Sequence, residues 1–292
     1  MSPGPIGIIG AGRVAQALGR LLYERGEPVV ALAARNASKA ARAAEFIGEK
    51  VRAVNVAEMP GLATRVLIAV SDAAIEPAAY DLALAGFDRG LALHTCGGVG
   101  PEALAPLAKA GVECGMLHPL QTIATPEDGV ESLKNITFGI GGDPGAVAWA
   151  QRIAHLAESS VLLLDITKVA SYHAAAAIVS NGLIALFDAA LELMRQAGVN
   201  ASEAAGALAR LGRTTLTNAE IAGPRAALTG PVARGDAGTI ARHLNAVAQA
   251  SPPVADLYRS LTSYLLEIAR AQGLPEDQIQ AIQELLRNYQ AG

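Results

Sequence analysis

Gly10, Gly12 and Ala15 form a G-x-G-x-x-A pattern directly after the apolar run "PIGIIG" and at the start of a helical one. In that setting the first glycine permits a tight turn and the second lets a pyrophosphate approach the backbone. A small third residue lets the helix pack close to the sheet. The stretch Gly10, Ala11, Gly12, Arg13 and Val14 then offers free N–H groups and the positive end of a helix dipole to an anion. A βαβ context makes this a dinucleotide-binding turn rather than a bare glycine turn.

An acid is missing where one would choose NAD. Such sites carry Asp or Glu about 20 residues beyond the glycines, bonded to the ribose 2′-hydroxyl. Here the region reads "AARNASK", with Arg35, Asn36, Ser38 and Lys39 and no carboxylate. A guanidinium holds a 2′-phosphate through paired bonds, whereas a carboxylate repels it. The expected cofactor is NADP(H). The same cations would also serve as solvated charges at a helix start.

Further polar residues stand where strands should end: Val70, Ser71 and Asp72, then His94, Thr95 and Cys96, then His118 before Pro119. Parallel sheets bind ligands beyond those ends. Val70, Ser71, Asp72 and Thr95 are therefore expected at the cofactor, His94 near the substrate and His118 at the chemistry. A long helical segment adds Lys168, Tyr172, His173, Ser180 and Asn181. Hydride transfer to C=O or C=N needs a proton donor and a group that holds developing negative charge. Lys168 is the first candidate donor: it is the only lysine after Lys134, while arginine occurs ten times from Arg152 to Arg287. A solvent-facing lysine fits its position equally. His173 and Asn181, eight residues apart, share a helix face; one could relay a proton and the other bind a substrate oxygen. Ser180 is placed beside them. Arg234, in "GPVARGD", could clamp a substrate carboxylate or serve a helix-cap network. His155 and His243 read as ordinary helix-surface residues.

The elements that must position these groups are readable. Apolar runs at 5–10, 28–34, 51–56, 65–70, 90–95 and 112–117 suit strands buried on both faces of a parallel sheet. Runs at 135–142 and 161–166 flank a helix at "PGAVAWAQRIAHLA" and extend the same sheet. After Asp165 only helical periodicity remains, over about 168–197, 201–222, 237–250, 253–272 and 275–289. Asp236 suits an N-cap and Pro275 a first helical turn. The expected fold class is α/β: a doubly wound, mostly parallel sheet at 1–165 and an all-helical domain at 166–292.

Bulk composition excludes other classes. A net charge of −4 and scattered basic residues argue against nucleic acid. Two cysteines, Cys96 and Cys114, give no disulfide framework or metal pair and read as buried small side chains. No HExxH or clustered metal-ligand spacing appears, so no metal is expected. The opening lacks the pattern of a signal peptide. The segment "AAAAIVSNGLIALFDAALELM", interrupted by Ser180, Asn181 and Asp188, reads as a buried helix and not a membrane span. A soluble cytoplasmic protein is expected.

The motifs "HTCGG", "MLHPLQT", "TKVASYHAAAAIVSN" and "LTGPVARGD", following the glycine turn, carry a resemblance over nearly the whole chain. The chain resembles Rossmann-like proteins with a C-terminal DUF2520 domain, described as NADP oxidoreductases. More distantly it is similar to pyrroline-5-carboxylate reductases, ketopantoate reductases and β-hydroxyacid dehydrogenases. The resemblance implies a helical second domain that closes the nicotinamide pocket and forms a homodimer, an expectation the alanine-rich long helix supports. It matches Lys168 in order to the catalytic lysine of the β-hydroxyacid dehydrogenases, although Tyr172 replaces their asparagine four residues on. It puts the stretch around Arg234 near the pocket of a partner subunit. The implied activity is NADPH-dependent reduction of a small carbonyl or imine acid, ketopantoate-like compounds among them. A non-catalytic NADP(H)-binding sensor on the same scaffold is the alternative.

Overall fold

The computed structural model describes residues 4–289. A single eight-stranded sheet has the order β3-β2-β1-β4-β5-β6-β7-β8. Its strands are β1 (Ile6–Ile9), β2 (Val29–Ala33), β3 (Arg52–Val54), β4 (Arg65–Ile68), β5 (Leu91–His94), β6 (Glu113–Pro119), β7 (Thr137–Gly142) and β8 (Ser160–Leu163). All neighbours are parallel except β6 and β7, which run antiparallel with Leu117 opposite Ile140. The expected α/β class and the extension of the sheet by its last two strands are both present.

Helices α1 (Arg13–Glu24), α2 (Ala37–Ile47), α5 (Pro126–Ser132) and α6 (Pro144–Leu156) pack in one apolar cluster with β1 and β2. Helices α3 (Ile75–Leu84) and α4 (Ala105–Ala110) pack in a second cluster with β4 and β5. The layers approach closely because small residues permit it. A Cβ on Gly19 of α1 would sit 2.6 Å from Ile47 and 2.7 Å from Ile8, while Ala15 is completely buried. The reversal of strand order falls between β1 and β4, where doubly wound sheets leave a crevice at the carboxyl ends.

The chain divides into two compact units, Met1–Ser180 and Asn181–Gly292. Helix α7 (Val169–Gln196) runs across that division, followed by α8 (Ala201–Ala222), α9 (Ala237–Val247), α10 (Pro252–Ala271) and α11 (Glu276–Asn288). In the second unit α9, α10 and α11 share an apolar core built on Ile240, Leu244, Leu266 and Ile282. Asp236 caps α9 by accepting from the Thr239 amide at 2.9 Å. Pro275 stands one place earlier than expected, as the residue before α11.

One expectation fails. The sequence pattern predicts a buried long apolar helix, yet among the described residues only Val169 of α7 is buried. Ile178 and Ile184 are 73% and 72% exposed. Helix α8 likewise buries only Ala204. Apolar residues lie all around α7, so the sequence pattern suggests enclosure, but among the described residues these side chains stay exposed. By length and composition, α7 with the preceding turn is long and apolar enough to cross a membrane.

Candidate functional site

Residues at the carboxyl ends of five strands line one cleft of about 1250 Å³. Gly10 follows β1, Arg35 follows β2, Val70 follows β4, Thr95 follows β5, and His118 lies near the end of β6. The glycine turn is built as its sequence implies. Gly10 adopts φ +128°, and a Cβ there would lie 2.1 Å from the Ala69 carbonyl oxygen. Only glycine tolerates both constraints. Gly12 has an unstrained φ of −79°, and a Cβ there would meet nothing within 4 Å. Open space therefore lies over the amino end of α1.

That end is chemically prepared for an anion. No side chain caps α1, and its first turn holds no acid. Arg13, Arg35 and Lys39 line the same cleft, and none of them joins an ion pair among the described residues. The Arg13 guanidinium donates to the Ile123 carbonyl at 3.3 Å, tying α1 to the loop after β6. Uncapped amides with free cations beside them fit a diphosphate and a further phosphate. Val14, Ala11, Asn36, Ser71 and Asp72 also line the cleft. Asn36 is partly spent, since its Oδ1 accepts from the Lys39 amide and the Ser38 hydroxyl. Ser38 is not among the lining residues; its hydroxyl helps hold that cap.

At the other end of the cleft stand Asp72, Cys96, His118 and His173. The rings of His118 and His173 are edge-on, with centroids 5.9 Å apart. A Cβ built on Gly98 would lie 3.1 Å from His173 Nδ1 and 3.5 Å from Asp72 Oδ2, so both groups converge on that glycine. Burial, reinforced by the neighbouring His173, lowers His118 to about 4. His118 is thus a neutral imidazole at ordinary pH. Burial raises the Cys96 thiol, and its bond to Asp72 adds to the rise, so this cysteine is not a ready nucleophile.

His94 occupies another place than the substrate position expected for it. It is completely buried, its Nδ1 accepts from the Cys96 amide at 3.2 Å, and its Nε2 lies 3.0 Å from the Gly100 carbonyl. Both ring nitrogens are committed, with Nε2 the donor, and the residue pins the turn that carries Thr95, Cys96 and Gly97 into the cleft. Lys168 stands in the turn before α7, is 76% exposed, and pairs with Asp165 at 3.3 Å. It does not line the cleft, and neither does Ser180. Asn181 and Arg234 belong to the second unit, where both are exposed. Asp236, the cap of α9, is lowered chiefly by its hydrogen bonds from Thr239, with Arg242 and Arg234 adding smaller charge effects. His243 is bonded to the Tyr258 hydroxyl at 2.9 Å.

Sequence reasoning gave Tyr172 no role. Its hydroxyl lies 2.8 Å from His118 Nδ1, and a Cβ on Gly139 would come within 2.5 Å of that hydroxyl oxygen. A glycine within a strand signals such a close approach. Gly139 in "FGIGG" was the available clue.

Residues 4–119 match the Rossmann-like domain model, and residues 136–265 match the model described as domain of unknown function DUF2520. The two matched segments follow one another along the chain. None of the proteins with curated descriptions matches it significantly. Among solved structures it is similar to a provisionally assigned NADP oxidoreductase from Bacteroides fragilis. The identity is 24% and the TM-score 0.73, covering 91% of this chain and 99% of that one. It is similar to an imine reductase from a Pseudomonas species at 16% identity and TM-score 0.68, covering 96% and 98%. A reductive aminase from Aspergillus terreus, in complex with NADPH and ethyl-5-oxohexanoate, aligns at 18% identity and TM-score 0.58, covering 97% and 92%. At these identities the likeness is one of fold.

Proposed function

We propose that this chain, a Rossmann-like domain joined to a DUF2520 domain, is an NADPH-dependent reductase of small carbonyl or imine compounds. One observation carries the reading: a single cleft has uncapped helix amides and unpaired cations at one end and a histidine pair with a carboxylate at the other. The names of the similar structures, which include NADP, imine reductase and reductive aminase, point the same way.

Bound NADPH would supply the hydride. The α1 amides at Gly12, Arg13 and Val14 would hold the pyrophosphate, and Arg35 with Lys39 the 2′-phosphate. His118, neutral and at the polar end of the cleft, would face the oxygen or nitrogen of the reducible bond. His173, close to the Asp72 carboxylate, would carry the proton that completes reduction. Lys168, exposed and paired with Asp165, has no step in this reading. The finer version of the proposal is a small keto or imino acid as the compound reduced.

A second copy of the chain is the natural cover for the apolar sides of α7 and α8. Ile178, Val179, Ile184, Leu211 and Ile221 are each more than half exposed within one chain. Sedimentation at micromolar concentration should give a dimer mass without detergent; a monomer, or a protein recovered only with lipid, would contradict this cover. Oxidation of NADPH with a panel of imines, keto acids and ketones tests the activity itself. Turnover lost in His118→Asn with nucleotide affinity retained is the expected result. Absence of turnover with every acceptor, while NADPH still binds, would favour the sensor alternative.

A further inference from the structure

We infer that Tyr172 is a positioning residue that donates to His118 Nδ1 and so fixes His118 as a neutral imidazole presenting Nε2–H to the cleft. The catalytic part of this inference rests on the reductase reading; the hydrogen-bond part does not.

The direction of the bond follows from what each group has available. The Tyr172 hydroxyl and His118 Nδ1 are 2.8 Å apart, with the rings edge-on at 5.6 Å. Either atom could donate. Yet the tyrosine hydroxyl has no other hydrogen-bond partner among the described residues. It lies over Gly139, where a Cβ would also come within 3.0 Å of the Leu164 side chain, so its surroundings are apolar. If Nδ1 carried the proton, the hydroxyl hydrogen would point into that apolar wall without an acceptor. For this part-buried hydroxyl a donor turned to the apolar wall is the costlier arrangement, whereas an oxygen with an unused lone pair is tolerated. Tyr172 therefore donates, Nδ1 accepts, and the single imidazole proton sits on Nε2. His118 lines the cleft together with Gly97, where a Cβ would lie 2.7 Å from both Cε1 and Nε2, and Nε2 has no hydrogen-bond partner among the described residues, which leaves it free for a ligand.

Burial keeps the imidazole neutral, and the neighbouring His173 adds to the lowering. Because it is neutral, His118 stabilises charge as a hydrogen-bond donor rather than as an acid, and the site keeps this donor over a wide pH range. Gly139 belongs to the same device, since any side chain there would push the hydroxyl away from Nδ1.

Long-range proton–nitrogen spectra of the nucleotide-free protein labelled in its five histidines read the tautomer directly, with His118→Asn identifying the signal. The expected wild-type spectrum shows His118 protonated at Nε2, and Tyr172→Phe shifts it toward a mixture. An Nδ1-protonated wild type, or an identical spectrum in Tyr172→Phe, overturns the inference. Gly139→Ala is the second variant and should give the same spectral change without touching either ring. In turnover, His118→Asn should lower kcat by the roughly 10²–10³-fold of a lost oxyanion donor, and Tyr172→Phe by less, about tenfold, with KM for NADPH unchanged. An unchanged kcat in Tyr172→Phe despite an altered tautomer would refute the positioning role. If no acceptor is reduced at all, the reductase reading and that role fail together, and the spectrum alone decides the hydrogen bond.

Discussion

At the amino ends of the strands Glu27 is 5% exposed, between Arg65 at 3.0 Å and Arg152 at 2.6 Å. Arg65 also donates to the Gly4 carbonyl and lies over the Trp149 ring at 5.4 Å. At the carboxyl ends, Arg13, Arg35 and Lys39 line an open cleft and pair with no carboxylate among the described residues. One end thus neutralises its charge inside the chain and the other leaves it free. The difference separates charge neutralised inside the fold from charge left at the surface: burial, with a smaller effect of Arg152, lowers Arg65 and Glu27 offsets it, whereas the cleft cations are exposed and, in the proposed reading, meet a phosphate.

The comparison can be broken from either side. Glu27→Ala should have the largest effect, about 3–5 kcal/mol of stability, because it strands a buried guanidinium. Chemical denaturation would measure that loss, and NADPH affinity at a temperature where the variant stays folded should not change. Arg35→Ala should do the reverse. NADPH affinity should fall roughly ten- to a hundredfold, the worth of charge-assisted hydrogen bonds, with NADH affinity and melting temperature kept. A stability loss in Arg35→Ala would erase the distinction between the two ends.

A smaller effect concerns acid. Unfolded histidine titrates near 6.5, but His118 in the fold binds a proton only near 4. Between those values the unfolded chain holds more protons, so stability falls as pH drops from about 6.5 toward 4. Completely buried His94, also lowered by burial, adds to the same slope. His118→Asn should flatten part of it in melting temperature measured against pH; an unchanged slope would place the ring in water. The smallest effect is expected from Lys168→Ala, which removes an exposed pair with Asp165 and should leave both turnover and stability close to wild type. A large loss of turnover would restore this lysine as the proton donor.

Local pattern made much of this legible. Each strand of the sheet overlaps an apolar run, and α8 spans 201–222 as its periodicity predicts. The glycine turn was readable because its geometry depends on neighbours within one βαβ unit, as the positive φ of Gly10 shows. The bond between His118 and Tyr172 was not, because 54 residues separate the partners and only the fold brings them together. His94 misled because a strand-exit histidine looks the same in sequence whether it faces a ligand or pins a turn. The exposure of α7 was hidden for a related reason: apolar residues all around a helix show that it must be covered, not by which molecule.

Titration calorimetry of the intact protein with NADPH and with NADH tests the central claim most directly, since it asks whether the free charge at the carboxyl ends has the ligand assigned to it. The account predicts one nucleotide per chain and a clear preference for NADPH that Arg35→Ala abolishes. Equal affinity for the two nucleotides, or no binding by folded protein, would contradict it.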